Sequence, residues 1–554
     1  MKKSTLTGIG AAILATAALA AGCGSSSDSS AGSSTDTTTT ATTTPATQGG
    51  TARYTLASDV DYTDPALAYY SWSWQIGYAT CANLFNLPDA AGAAGTRVVQ
   101  EVVDRYTVSK DGRTYTFDLK RSFRFHTGAA VTAQSFADAI NRLAQPRLES
   151  PAATYLREIV GAAAVLDGKA TSVSGVRVLG RHRLQIRLTK PLGDFTARLA
   201  MPFFCPILPG TPVDPKGVDY PPGSGPYYVA ERVVNQRIVL KRNPYYRGAR
   251  PANVDQVVWT IGMSREDCLA AVEQDRMDYC GVMGLPPREH RRLAETYGIN
   301  RLGGQFLVSP GLTTWYVAFN HSRPAFRGRG QIPLKKAINY AVDRPALTRP
   351  FGYLTGKRTD QLLPPALARR ASIYPLRGAD LVAARRWLAR ASLRPRELVL
   401  YANSGPTGAL IAQVLVFNLK QMGIDVDVRY FDTIALQAKT ETPGEPYDLV
   451  YLGWSADYAD GAAFFEPLLA DRGRRSGTNF ADPRVAARIE AAERMTGEAR
   501  RAAWADLDVD LMRDDPPWAP VTNTQGVTFV SRSVGCVVLH PVYGFDFATV
   551  CKKR

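Results

Sequence analysis

Residues 411–430, IAQVLVFNLKQMGIDVDVRY, change their hydrophobic period across a single glycine. Ile411, Leu415, Leu419 and Met422 recur at helical spacing, Gly423 follows as a C-cap, and Ile424, Val426 and Val428 then alternate with charged residues. A helix feeding an alternating strand is the unit of an α/β sheet. Residues 447–461, YDLVYLGWSADYADG, supply the next strand of the region. Its apolar run, 449–452, leads into Trp454 and Tyr458 set among Asp448, Asp457 and Asp460. Ligands of open α/β sheets collect where strands end and connections diverge, so this corner is the first candidate site.

The same reading extends along the chain. RTYTFDLK places Tyr115, Phe117 and Leu119 on one face of a strand, and RHRLQIRLT repeats the pattern with Leu184, Ile186 and Leu188. Between them, VTAQSFADAINRLAQP sets Phe136, Ile140 and Leu143 on one helical face and stops at Pro146. A last long helix, predicted over 502–513, carries Trp504, Leu507 and Leu511 on one face. Residues 528–551 read as strands and turns too few for a domain of their own, so they are expected to return to an earlier one. A body of roughly 500 residues exceeds a single core and predicts two or three domains.

The first residues read as an address. Lys2 and Lys3 precede an apolar run over 9–21 that is too short to span a bilayer, the pattern of a secretory signal over residues 1–22. In LAAGC, Cys23 directly follows Gly22, as in bacterial lipoprotein signals, although Leu19 lies one place further from the Cys than is commonest. Cys23 is the expected lipidation site; the alternative is an ordinary signal beside a chance cysteine. Residues 23–50 are mostly Ser and Thr with nothing large to bury, which predicts a flexible tether holding the body about 30 Å off a membrane.

The formal net charge of +16 falls to +14 without Lys2 and Lys3, which suits an acidic membrane surface. The arginines are dispersed and no nucleic-acid motif accompanies them. No later run reaches the length of a membrane helix, so the expected anchor is lipid alone. Without Cys23, six cysteines remain, enough for three disulfides in fifteen possible connectivities. Spacing favours Cys268 with Cys280 and Cys536 with Cys551, leaving Cys81 with Cys205; the other connectivities stay open.

Catalytic and cofactor signatures are missing. The chain has no GxSxG elbow, Walker A loop, Rossmann fingerprint, HExxH or CxxC, and its five histidines are scattered, so no cofactor, metal site or enzymatic activity is expected. Asp457 and Asp460 are too close in sequence to favour a glycosidase acid pair over a solvated turn. An ATP-driven process would require other subunits to hydrolyse the nucleotide.

Several stretches in order resemble one family. They are residues 109–143, SKDGRTYTFDLKRSFRFHTGAAVTAQSFADAINRL; GSGPYYV at 223–229; LKRNPYYRG at 240–248; WYVAFN at 315–320; LKKAINYAVDRPAL at 334–347; and GWSADYADG at 453–461. Together they resemble the family 5 extracellular solute-binding proteins of ABC importers that handle oligopeptides and dipeptides. Gln134, Ser135 and Gly461 depart from the usual pattern.

The resemblance implies a two-lobed, periplasmic-binding-protein-like α/β fold with the ligand cleft between the lobes. Lobe one is expected over 51–310 and 525–554, with an extra subdomain at about 85–206; lobe two over 311–524. It also implies a monomer that binds a peptide-like solute and hands it to permease subunits driven by separate ATPase subunits. A same-fold receptor for an oligosaccharide, opine-like compound or metal chelate is the alternative, with a ligand-sensing lipoprotein behind it. By the family's Gly-Trp-x-Ala-Asp motif, Asp457 is expected to pair with a ligand ammonium and Trp454 to wall the cleft. Tyr458 and Trp74 are further candidates, each with a competing reading as a turn or packing residue. Asn320 and Asp343 match positions read as structural.

Overall fold

Two long strands, Phe306–Phe319 and Trp518–Phe529, run antiparallel to each other and join the two main parts of the chain. The computed structural model describes residues 48–553 except 57, 282–284, 355, 369–370 and 471–475. The expected signal, Cys23 and nearly all of the tether therefore lie outside the described residues.

The first part is built on a five-stranded sheet in the order Tyr279–Cys280, Thr51–Leu56, Gln256–Ile261, Arg237–Arg242, Tyr227–Val233. Tyr54, Tyr227, Leu240 and Trp259 fill one core beneath it, together with Phe545, Phe547 and Val550. The C-terminal residues thus return to the first sheet, as their lack of a core of their own predicts. A four-stranded antiparallel sheet, Val103–Val108, Thr114–Leu119, Arg183–Arg187, Val176–Gly180, forms a separate layer. There Tyr115 faces Ile186 and Phe117 faces Leu184, and the helix Ala133–Leu143 packs its apolar stripe into the same cluster.

The second part is a six-stranded sheet in the order Gly356–Arg358, Trp518–Phe529, Phe306–Phe319, Leu449–Ser455, Glu397–Asn403, Asp425–Phe431. The helix Pro406–Lys420 connects two parallel strands, Glu397–Asn403 and Asp425–Phe431. Gly423, at φ +77°, makes the turn between helix and strand in a conformation other residues adopt at a cost. The last long helix is Gly497–Asp514, longer than predicted by about a turn at its start.

The two disulfides favoured by spacing, Cys268–Cys280 and Cys536–Cys551, are present, and so is the remaining pair, Cys81–Cys205. Asn320 donates through its amide to the Tyr447 carbonyl at 2.9 Å, and Asp343 accepts from the Ala346 N–H to cap a short helix. The unusual Gly461 has a local reason: a Cβ there would stand 2.5 Å from Cγ of Trp504, which packs against it.

Candidate functional site

The ladder between the two long strands breaks between Pro310 and Thr314. Residues on both sides of that break, Ser309–Thr313 and Thr524–Thr528, line a cavity of about 940 Å³. Its walls come from both main sheets and their helices: Tyr69, Tyr279 and His290 on one side, Trp315, Leu436 and Trp454 on the other. The volume lies at the upper end of the range for sites that enclose drug-sized ligands, about 300–1,000 Å³.

The strand Leu449–Ser455 gives this cavity an open edge. Along one side it pairs with Thr313–Phe319 over its whole length. On the other, its ladder with Glu397–Asn403 covers only Leu449 and Val450, so among the described residues the edge from Tyr451 to Ser455 is unpaired. Gly453 and Ser455 are exposed, and Tyr451 through Ala456 all line the cavity. Gly453 is needed by its cross-strand neighbour, since a Cβ there would meet the Trp315 ring at 2.8 Å. Trp315 is thereby free to lie across the strand and stack on Tyr451, with ring centroids 5.4 Å apart.

Trp454 also lines the cavity, and its indole N–H is fixed by the Ala463 carbonyl at 2.7 Å. Asp457 is placed differently. It is 8 % exposed and is not among the residues facing the cavity, although Ser455, Ala456 and Tyr69 are. Its Oδ2 accepts hydrogen bonds from the Tyr69 hydroxyl at 3.2 Å and from the Tyr155 hydroxyl. Burial, and then the negative charge of Asp457, hold the Tyr155 phenol well above its ordinary pKa, so it stays a donor.

Tyr458 and Trp74 are packed away from the cavity. The Tyr458 hydroxyl donates to Asp194 at 2.6 Å, and the Trp74 indole donates to the Ala68 carbonyl at 2.8 Å within an aromatic cluster with Tyr69 and Phe203.

Sequence reasoning missed Tyr69 and Tyr155, which reach Asp457 from more than 300 residues away. It also missed His290 and His540, which line the cavity with neutral rings. Burial lowers His290 and pushes His540 down to about 3. No local pattern marks such residues, because their neighbours are supplied by chain distant in sequence.

Against this geometry, the family model of bacterial extracellular solute-binding proteins, family 5 (middle), matches residues 97–476. The probable di/tripeptide-binding protein 5 of Pseudomonas aeruginosa (strain UCBPP-PA14) is 25% identical over 479 residues, covering 82% of this chain and 88% of that one. The probable deoxycholate-binding periplasmic protein YgiS of Escherichia coli (strain K12) is 23% identical over 461 residues, covering 79% and 82%. Among solved structures, clavulanic acid biosynthesis oligopeptide binding protein 2 superposes with a TM-score of 0.84 at 26% identity, covering 92% of this chain and 96% of its own. The two-lobed fold expected from the sequence is therefore present, with the cavity at the strands that join the lobes. The chain belongs to the bacterial extracellular solute-binding proteins, family 5.

Proposed function

We propose that this protein is the extracytoplasmic receptor of an ABC importer, which closes its lobes on a peptide-like solute and delivers it to a separate permease. The observation that carries this reading is the unpaired strand edge from Tyr451 to Ser455 inside the cavity. An extended peptide added to such an edge is held through its backbone, which gives affinity without demanding a particular side-chain sequence. Relatives named for peptide binding support the same choice.

In this reading residues 51–310 and 525–554 form the first lobe, 85–206 its subdomain and 311–524 the second lobe. The register shift after Pro310, and the pairing of Pro310 with Gln525, support that division. Each disulfide then stays within the first lobe. Export and a lipid at Cys23 would keep this monomeric receptor at the outer face of the cytoplasmic membrane. We read it as a carrier without catalytic activity.

Trp454 walls the solute. Asp457 is the proposed partner of its ammonium, with Tyr69 and Tyr155 orienting the carboxylate from the opposite lobe. Thermal unfolding with short peptides bearing free or acetylated amino ends tests both roles. A ligand at a hundred times its Kd adds about 2.7 kcal/mol. Stabilisation by free-amine peptides alone, lost in Asp457→Ala, supports the ammonium contact. Equal loss for free and acetylated peptides would make Asp457 a contact between lobes instead. If no peptide in a broad pool stabilises the protein, the peptide assignment falls.

One observation favours a second reading. Among the described residues, apart from one arginine and one glutamate, the cavity is lined by neutral side chains, with Trp315, Tyr451 and Trp454 prominent. Such a wall also suits a rigid apolar solute, and deoxycholate in the same assay is the probe for it.

A further inference from the structure

Two segments beside the six-stranded sheet carry positive charge and no acid. Residues 321–342 and 381–396 contain neither Asp nor Glu, and they lie against each other: the Ser392 N–H donates to the Gly330 carbonyl at 3.1 Å, and the Gln331 amide to the Leu393 carbonyl at 3.0 Å. Arg385, Arg386, Arg390, Arg394 and Arg396 are exposed along the second segment. Arg327 and Arg329 are exposed along the first. Among the described residues none of these arginines has an ion-pair partner. By contrast, exposed arginines such as Arg292, Arg429 and Arg484 are neutralised where they stand, by Glu273 and Glu289, by Asp427 and by Asp482.

The same face exposes apolar side chains. Val382, in the helix Leu381–Leu388, is 69 % exposed. The Arg385 guanidinium donates to the Gln421 carbonyl at 2.9 Å, which sets this helix beside the C-terminal end of Pro406–Lys420. There Phe417 is 62 % exposed, and Lys420 adds a further exposed cation. The cavity takes other residues of that helix, Ile411, Ala412 and Leu415, and not Phe417. The charged face also stands clear of the cavity. Leu400, Ala402 and Asn403 bring the strand Glu397–Asn403 to the cavity wall, whereas Arg396 precedes its other end, about 20 Å away for a strand of that length.

Like charges without partners repel one another, and an exposed phenylalanine keeps apolar area in water. The surface of an anionic bilayer relieves both, because it offers phosphates and, just beneath them, an apolar boundary that admits side chains to about 5–10 Å. A soluble polyanion would answer the charge and leave Phe417 and Val382 in water. We propose that this face docks on an anionic lipid bilayer, with its arginines on headgroup phosphates and Phe417 and Val382 in the interface. The contact is independent of the peptide reading and of a lipid at Cys23, and it leaves the cavity uncovered.

The test is co-sedimentation of the purified protein, bearing no lipid, with vesicles of phosphatidylcholine alone or mixed in equal parts with phosphatidylglycerol. Wild type is expected to pellet with the mixed vesicles only, and to be released as salt rises. Arg386→Gln, Arg394→Gln and Arg396→Gln combined should weaken that binding roughly a hundredfold, at about fivefold for each cation near the surface. Phe417→Ser should weaken it about tenfold. As a control, Arg105→Gln, Arg288→Gln and Arg501→Gln combined remove the same charge from exposed arginines that have acidic partners, and should bind like wild type. If wild type does not pellet with the mixed vesicles, or the two triple variants weaken it alike, this face is not a docking surface. If Phe417→Ser binds like wild type, the face takes anionic phosphate without entering a bilayer, and the assignment falls.

Discussion

One nitrogen of the Arg198 guanidinium donates to both oxygens of Glu466, at 2.8 and 2.7 Å, although 268 residues separate the two. Arg198 also holds Asp194 at 3.1 Å, and Arg500 reaches Asp194 at 3.3 Å while gripping Asp460 through two bonds. Arg198, Asp194 and Arg500 are each buried. In the proposed division Asp194 and Arg198 belong to the subdomain of lobe one, and Glu466, Asp460 and Arg500 to lobe two. In that division the network would join the subdomain of lobe one to lobe two, and the Tyr458 hydroxyl donates to its Asp194 at 2.6 Å.

Removing the central cation of that network leaves buried carboxylates without it. Arg198→Ala is expected to cost about 3–5 kcal/mol in urea unfolding, and Arg198→Met combined with Glu466→Leu to recover part of the loss. A single variant indistinguishable from wild type would show that the pair is too well solvated to matter.

The parts of the fold legible in the sequence were those with a local signature. The period change at Gly423 marked the helix Pro406–Lys420 and the strand after it, and the alternation around Phe117 and Leu184 marked a pair of neighbouring strands. Trp454 is expected at the cleft from the Gly-Trp-x-Ala-Asp motif of the resemblance rather than from the apolar strand before it. The sequence could not tell that Tyr458 turns toward Asp194, or that Tyr69 and Tyr155 converge on Asp457, because direction within a turn is set by distant partners.

Two buried histidines should make stability depend on acid. His321 donates through Nδ1 to the Thr478 carbonyl at 3.0 Å, which leaves Nε2 to accept from Lys335 at 3.1 Å. Burial, and then the Lys335 charge, push His321 down to about 3, and burial does the same to His540. The unfolded chain takes up these protons near pH 6.5 and the folded one does not, so the stability contributed is full above that pH and is lost as pH falls toward 3. In His321→Gln the gap to wild type should shrink by about 1.4 kcal/mol per pH unit below 6.5. Asp508 works the other way: burial raises it to about 7, so its proton stabilises the fold at low pH and is lost as pH rises through 7. A gap that stays constant from pH 8 to 4.5 would contradict the neutral, buried state of His321.

The disulfides should not contribute equally. Cys81–Cys205 closes 124 residues and Cys268–Cys280 only 12. Loop-closure entropy in the unfolded chain gives about 4.7 kcal/mol for a hundred-residue loop and about 3 for fifteen. Replacing both cysteines of the long loop by Ala should therefore lower stability more than the same change in the short loop, by about 2 kcal/mol in urea unfolding. Equal losses would mean that the unfolded chain is already compact across the long loop.

Gly453 is where the fold and the proposed site depend on the same missing atom. A side chain there would meet the Trp315 ring at 2.8 Å, and Trp315 has Tyr451 stacked on it, with Phe351 at 5.9 Å between ring centroids. The ring cannot move away without disturbing the cavity wall that all three share. Gly453→Ala is expected to cost about 1–3 kcal/mol through this overpacking. It should also shift the tryptophan fluorescence and weaken peptides of every sequence alike, because it disturbs the edge that holds the backbone. Serine at 455, two residues on, faces its cross-strand partner Thr313 at 2.7 Å between hydroxyls, so Ser455→Ala removes one hydrogen bond without touching the ring and serves as the comparison. If Gly453→Ala changes stability but leaves peptide affinity intact, the strand edge is a structural seam and the solute is held elsewhere in the cavity.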